Sequence, residues 1–342
     1  DVTALFIRGR ATINQTAPIV LIDGIERELT HIDPNEVESI TILKDASSTA
    51  LFGVRGANGV ILVTTKRGTS EVPEINLSAE GAVQDFPKFF DMVNSYDYAS
   101  LRNLALKNDG LPAQFSEKAL EMYRTGADPV NYPNTNWRDI MMKDVALQQR
   151  YNLNISGTTN NRSMKYFVNA TYLNQGGQFN VEQDLPYDPS FKLDRYSFRS
   201  NIDLQLNNRL SAFMNVAGYL EKQNMPMSIL NRLGDIPTQL EGMSPALYII
   251  SFMTRVPANV PMLTPEGEVT TGPNIDWPAY GLLNRSGYVK QTRSNVLATF
   301  GMNQELDMVT KGLSARLVMS FDTRSINNLY GAREFIRYMQ VI

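Results

Sequence analysis

From residue 75 onward the chain repeats one pattern: long segments in which apolar side chains take every second position and polar ones fill the positions between. Ile75, Leu77, Ala79, Gly81 and Val83 share one face, with Asn76, Ser78, Glu80 and Gln84 opposite. Val145, Leu147, Tyr151, Leu153 and Ile155 oppose Gln148, Arg150, Asn152, Asn154 and Ser156. Met164, Tyr166, Val168, Ala170 and Tyr172 oppose Lys165, Asn169 and Thr171. Tyr196, Phe198, Ile202, Leu204 and Leu206 oppose Arg195, Arg199, Asn201, Asp203 and Gln205. A period of two is the repeat of a strand whose faces meet different media. Segments near 209–221, 291–306 and 312–322 follow the same rule.

These strands run about 11 to 14 residues, whereas strands of soluble domains centre on roughly 5 to 6. A tilted membrane-crossing strand needs about 9 to 11. The apolar runs, such as Ala246 to Met253, fall well short of the ~18 to 20 residues of a spanning helix. A membrane crossing by this chain is therefore made with strands. Slipping the fourth segment by one residue would turn Arg195 and Arg199 into lipid, at up to roughly 2 to 4 kcal/mol each near the midplane. Connection lengths alternate as well, with 85–144, 176–191 and 223–288 long and Thr158 to Arg162 and Asn207-Asn208 short. Outer-membrane barrels alternate short periplasmic turns with long extracellular loops, so the three long segments are expected outside the cell. Within them, Ser95 to Lys107, and Ser116 to Thr125 stopped by Gly126, have helical spacing and caps.

Residues 18 to 68 read differently. Pro18-Ile-Val-Leu-Ile is a short strand, Asp23-Gly24 a hairpin turn, and Ile25 to Leu29 can pair back. Asp33-Pro34 starts a helical turn, and Val37 to Leu43 is a strand. Asp45 caps a helix over Ala46 to Phe52 that Gly53 stops in the left-handed conformation. Val60 to Thr65 closes a small α/β module.

A net charge of −3 excludes a nucleic-acid footprint or polybasic membrane arm. With no cysteine there is neither a disulfide scaffold nor a thiolate metal site, and one histidine, His31, rules out a His-based triad or multi-His metal centre. Asp23, Asp33 and Asp45 each sit where a turn or helix start wants a short acceptor, so capping accounts for them better than acid-base chemistry. Gly53, Gly56 and Gly59 are spaced like a phosphate loop, but they follow a helix and precede a strand, the reverse of that motif's order. No catalytic residue, metal site or cofactor is expected, and the chain is not expected to be an enzyme.

Three runs carry a resemblance: Pro18-Ile-Val-Leu-Ile-Asp-Gly; Asp33-Pro34-Asn35-Glu36-Val37-Glu38-Ser39-Ile40 with Leu43-Lys44-Asp45-Ala46-Ser47; and Phe52-Gly53-Val54-Arg55-Gly56-Ala57-Asn58-Gly59-Val60-Ile61 through Thr64-Thr65-Lys66-Arg67-Gly68. In this order they resemble the plug domain of the SusC/RagA family of TonB-dependent outer-membrane transporters. Asn136-Trp137, Asn154-Ile155-Ser156-Gly157, Lys165-Tyr166-Phe167-Val168 and Leu173-Asn174-Gln175-Gly176-Gly177 extend it more weakly. The resemblance implies a mixed α/β plug over 1–69, then over 70–342 the first seven or eight strands of a large antiparallel transmembrane β-barrel of about 22 strands. It places the TonB box, the start of the plug and the other strands outside this stretch.

The resemblance further implies an outer-membrane location in a Gram-negative bacterium with the plug facing the periplasm. It implies import of oligosaccharides or oligopeptides, a SusD-like lipoprotein lid, and energy from the TonB-ExbB-ExbD complex. A lidless siderophore or cobalamin receptor is the alternative in the same fold, and a soluble β-rich glycan-binding protein the alternative in another class. Asp23, Gly24, Asp45, Gly53, Arg55, Gly56 and Gly59 are the plug-motif residues, with Arg55 expected to pair with a carboxylate of the barrel lumen. Lumen-facing Lys165, Arg195 and Arg199 fit a solvated, salt-bridged interior better than an anion site. Tyr151, Tyr166, Tyr172, Tyr196 and Phe198 belong to the lipid face. The loop aromatics Tyr132, Trp137, Tyr187, Tyr248, Trp277 and Tyr280 are the candidates for ligand or lid contact.

Overall fold

A computed structural model describes residues 17–45, 50–85, 91–227, 244–273 and 275–339. Four short strands form the N-terminal sheet: β1 (Ile19–Ile22), β2 (Ile25–Glu26), β3 (Val37–Leu43) and β4 (Val60–Thr65), in the order β2-β1-β4-β3. The β1–β2 turn places Asp23 at φ 50° and Gly24 at φ 86°. Positive φ at both central residues is what a two-residue hairpin demands, and Asp-Gly supplies it cheaply. β4 lies parallel to β1 and antiparallel to β3, which makes it the most enclosed strand. Its Ile61 and Val63 pack with Ile22, flanked by Val20, Leu29, Ile32 and Val37. At ~1.5 to 3 kcal/mol for each fully buried aliphatic, so thin a core leaves the unit dependent on what it rests against.

The expected helix ended by Gly53 takes another form. Residues 46–49 lie outside the described residues, and Ala50–Asn58 is 3₁₀ helix kinked at Gly53, where φ is 58° and ψ −147°. Gly53 therefore re-aims the helix rather than ending it in the left-handed region.

Seven strands form the second sheet: β5 (Glu74–Gln84), β6 (Ala146–Thr158), β7 (Met164–Gly176), β8 (Lys192–Asn207), β9 (Leu210–Pro226), and, after the short β10 (Val269–Thr271), β11 (Gly287–Glu305) and β12 (Ser314–Ala332). Every neighbouring pair is antiparallel, in chain order. The strands reach 19 residues, longer than the alternation alone marks out, because their polar ends continue the ladder beyond the apolar band. β10 pairs instead with β13 (Arg337–Met339).

Apart from one irregularity between Gln205 and Asn207 at the end of β8, the register carries each face across the sheet. Tyr151 sits opposite Tyr172, Tyr172 opposite Tyr196, and Tyr196 opposite Leu220. The Tyr151 and Tyr172 rings stack at 6.3 Å and those of Tyr172 and Tyr196 at 4.9 Å. On this face Tyr196 is 48% and Phe198 44% exposed, while on the other face Asn169 and Asn201 are fully buried. Apolar side chains thus look outward and polar ones are covered, the inverse of a soluble sandwich.

The segments 85–145, 177–191 and 227–286 all leave from one end of this sheet, and the short connections leave from the other. The two expected helices are present. Ser95–Asn108 is capped by Asn94, and Glu117–Thr125 runs from a Ser116 cap to Gly126 in the left-handed conformation (φ 65°).

Candidate functional site: the polar face between plug and wall

The small sheet rests on the polar face of the large one, and its turns supply the contacts. Asp33 accepts from the Asn35 amide at 2.9 Å, and Glu36 reaches back to the Asp33 amide at 3.3 Å, a reciprocal cap on the turn Pro34–Glu36. The same carboxylates also face the wall. Arg150 on β6 donates to Asp33 at 2.5 Å, and Arg199 Nε on β8 donates to Glu36 Oε2 at 2.7 Å. Asn169 on β7 donates to Glu36 Oε1 at 3.2 Å. The Arg199 side chain is 1% and that of Glu36 3% exposed. Two charges so fully removed from water persist only as a paired, hydrogen-bonded unit.

A second contact lies where β4 ends. Asp23 accepts from the Thr65 amide at 3.0 Å and its hydroxyl at 2.6 Å, and Arg67 stands 3.6 Å away. Arg67 continues to Asp203 at 3.2 Å and Asn215 at 2.6 Å on the wall. Asn201 donates to the Thr65 hydroxyl at 2.8 Å and to the Lys66 carbonyl at 2.9 Å. At Gly68 the chain crosses β6 so closely that a Cβ would lie 1.9 Å from the Gly157 carbonyl oxygen. A third contact joins Arg27 to Asp322 at 2.6 Å, with further bonds to Thr299 at 3.0 Å and Ser320 at 3.2 Å on β11 and β12. Arg195 donates to the Thr30 carbonyl at 3.0 Å and lies over the Tyr219 ring at 4.2 Å.

Arg150, Asn169, Arg195, Arg199, Asn201 and Asp203 all stand on the polar parity that sequence alternation marks out. Arg199 is not a solvated interior charge but a partner of Glu36. Arg55, expected to meet a lumen carboxylate, instead pairs with Glu26 of its own sheet, both exposed. Sequence reasoning missed Arg27, Glu36 and Arg67 as the residues that reach the wall. Their signal was charge at the turns and strand ends of a module with little apolar core. Of the other motif residues, Gly56 is buried and accepts from the Gly59 amide at 2.9 Å, and Gly59 (φ 92°) accepts from the Ile19 amide at 3.1 Å. Asp45 follows β3 at the surface.

The loop aromatics divide. Trp137, Tyr248 and Tyr280 are buried in one core with Met141, Ile249, Met253, Leu282 and Leu283, which joins the long segments into a single layer. Trp137 Nε1 donates to the Pro257 carbonyl at 3.2 Å, and Tyr280 donates to Glu182 at 3.2 Å. Burial, reinforced by the neighbouring Glu182 carboxylate, pushes the Tyr280 phenol up to about 12. Tyr187 is half-buried and donates to the Asn284 carbonyl at 2.9 Å, and Tyr132 packs edge-on against Tyr123 at 5.4 Å. Trp277 stays half exposed, with Arg337 5.0 Å from its ring centre. His31 lies in the 3₁₀ turn Leu29–His31.

Residues 1–60 match the TonB-dependent receptor plug domain. The chain is similar to TonB-dependent receptor P26 of Formosa agariphila, 31% identical over 239 residues covering 68% of this chain and 22% of the relative. It is also similar to the TonB-dependent receptor SusC of Bacteroides thetaiotaomicron, 27% identical over 221 residues, 61% of this chain and 20% of SusC. The chain therefore spans about a fifth of the length of these relatives. Among solved structures it resembles a chain of the RagAB peptide importer in its open-open state, with a TM-score of 0.69 at 18% identity over 95% of this chain and 36% of that one. At that identity the likeness concerns the fold: a plug seated against part of an antiparallel barrel wall.

Proposed function

We propose, for a chain that belongs to the SusC-like TonB-dependent transporters, that it forms the plug-closing portion of an importer in the outer membrane of a Gram-negative bacterium. The observation that carries this reading is the inverted sheet: apolar side chains turned outward, and a polar inner face covered by a small sheet through the buried Glu36–Arg199 pair. A wall of this kind suits lipid on one side and a gated aqueous path on the other. The substrate is an oligosaccharide or oligopeptide, which passes without chemical change once the plug has been displaced by the TonB-ExbB-ExbD complex. A SusD-like lipoprotein covers the outer end, where the long segments 85–144, 176–191 and 223–288 form the extracellular layer.

Extraction, co-purification and growth test this reading together. The full-length protein is expected to need detergent to leave the envelope, to bring a lipoprotein with it, and to be required for growth on at least one glycan or peptide. Release by carbonate alone, or a deletion strain that grows normally on every such source, would overturn it. Detergent extraction without a lipoprotein, combined with loss of siderophore or cobalamin uptake, would assign the lidless alternative.

A further inference from the structure

In the layer formed by the long segments, a cleft of about 560 Å³ opens between the helix Ser95–Asn108 and the segment after the helix Pro245–Met253. Its lining residues include the aromatic Tyr98, Phe252 and Trp277 and the cationic Arg102 and Arg255. This falls in the range of ~300 to 1,000 Å³ usual for small-ligand sites. Both cations are held by uncharged partners. Arg102 Nε donates to Gln114 at 3.2 Å, and the Arg255 guanidinium lies 5.2 Å from the Phe252 ring centre. Among the described residues neither has a carboxylate within 4.0 Å, although Asp276 also lines the cleft. Among the described residues these charges are oriented without a neutralising ion pair, and the guanidinium fork suits a planar carboxylate.

The geometry points to an oligosaccharide bearing carboxylate groups, a uronate chain, as the occupant of this cleft. The C–H face of a pyranose fits an aromatic plane, and its carboxylate fits the Arg102 and Arg255 forks. An extended peptide would be held chiefly through main-chain hydrogen bonds, and the residues named here offer side chains instead. This inference rests on the import reading for its biological purpose, while the binding itself is tested without transport.

Trp277 lines the cleft, so the fluorescence difference between the full-length protein and its Trp277→Phe variant reports on the cleft. Purified full-length transporter in detergent is titrated with an oligogalacturonate, a neutral galactose oligomer and a glutamate-rich peptide, following fluorescence and heat. The oligogalacturonate is expected to bind and change the fluorescence, more weakly at high salt. Arg102→Ala and Arg255→Ala should each weaken it about fivefold, as for one exposed charge contact. Arg255→Lys should retain part of the affinity, and unchanged thermal stability in detergent separates these effects from misfolding. Equal binding of the neutral oligomer, preference for the peptide, or indifference to both arginine substitutions in a stable protein would overturn the inference. Normal nutrient uptake without uronate binding would remove this cleft alone, whereas uronate binding without any uptake defect in the deletion strain would remove the import reading alone.

Discussion

Glu36 and Arg199, 163 residues apart in the chain, meet at 2.7 Å with both side chains withdrawn from water. Glu36 closes a local turn and Arg199 projects from the middle of a wall strand, so one carboxylate joins the folding of the plug to its seating. Arg199→Ala would leave Glu36 buried with only the Asp33 backbone amide and the Asn169 side chain as donors, at a cost of roughly 3 to 5 kcal/mol to the docked state. Limited proteolysis in detergent should then cut the plug region faster while the barrel stays resistant. Replacing both partners, Glu36→Gln with Arg199→Met, should recover much of that loss.

Asp23 has two tasks, a positive-φ turn and acceptance of both Thr65 donors. Asp23→Asn keeps the turn and loses the charge toward Arg67, so a modest fall in plug stability is expected, whereas Asp23→Val loses both. The charge-assisted bonds are worth about 1.5 to 3 kcal/mol each. Denaturant titration of the two variants should rank them in that order.

Gly68→Ala places a methyl group 1.9 Å from the Gly157 carbonyl oxygen, which is backbone and cannot swing aside. No side-chain rotation relieves that clash. The variant should assemble poorly, seen as loss of heat-modifiable barrel on gel electrophoresis, while Gly81→Ala, which meets nothing within 4 Å, should assemble normally.

Tyr280 gives the loop layer a pH limit. Its phenol is raised from 10 to about 12, by burial first and Glu182 second, so the folded layer favours the protonated form. The stability this adds is fully present below pH 10 and is lost as pH rises through about 12. An ultraviolet absorbance titration of Tyr280→Phe, compared with the unsubstituted protein, should lack one phenol from the late part of the curve, near pH 12.

Much of the fold was legible because the physical signal was local. Alternation assigned the faces of β6, β7 and β8, and Ser116 and Gly126 marked their helix. What sequence could not supply was pairing across distance. Arg55 and Arg27 are both plug arginines, and only tertiary placement decides that Arg27, just after β2, reaches Asp322 while Arg55, in the 3₁₀ helix, turns to Glu26. Loop aromatics were ambiguous for a related reason: Trp137, Tyr248 and Tyr280 have the chemistry of a binding surface and of a core alike, and packing among three separated segments buried them. At Gly53 a positive φ was foreseeable, but whether the chain stops or kinks there depended on the next turn.

The face assignment is tested most directly along β8. In a full-length protein cleared of any cysteine outside this chain, single cysteines can be placed at 195 through 202, labelled with a fluorophore and challenged with a quencher resident in the lipid tails. Positions 196, 198, 200 and 202 should be quenched, and positions 195, 197, 199 and 201 should be spared. Uniform quenching, or protection of 196, 198 and 202 as in a protein interior, would contradict a wall with lipid outside and a plug within.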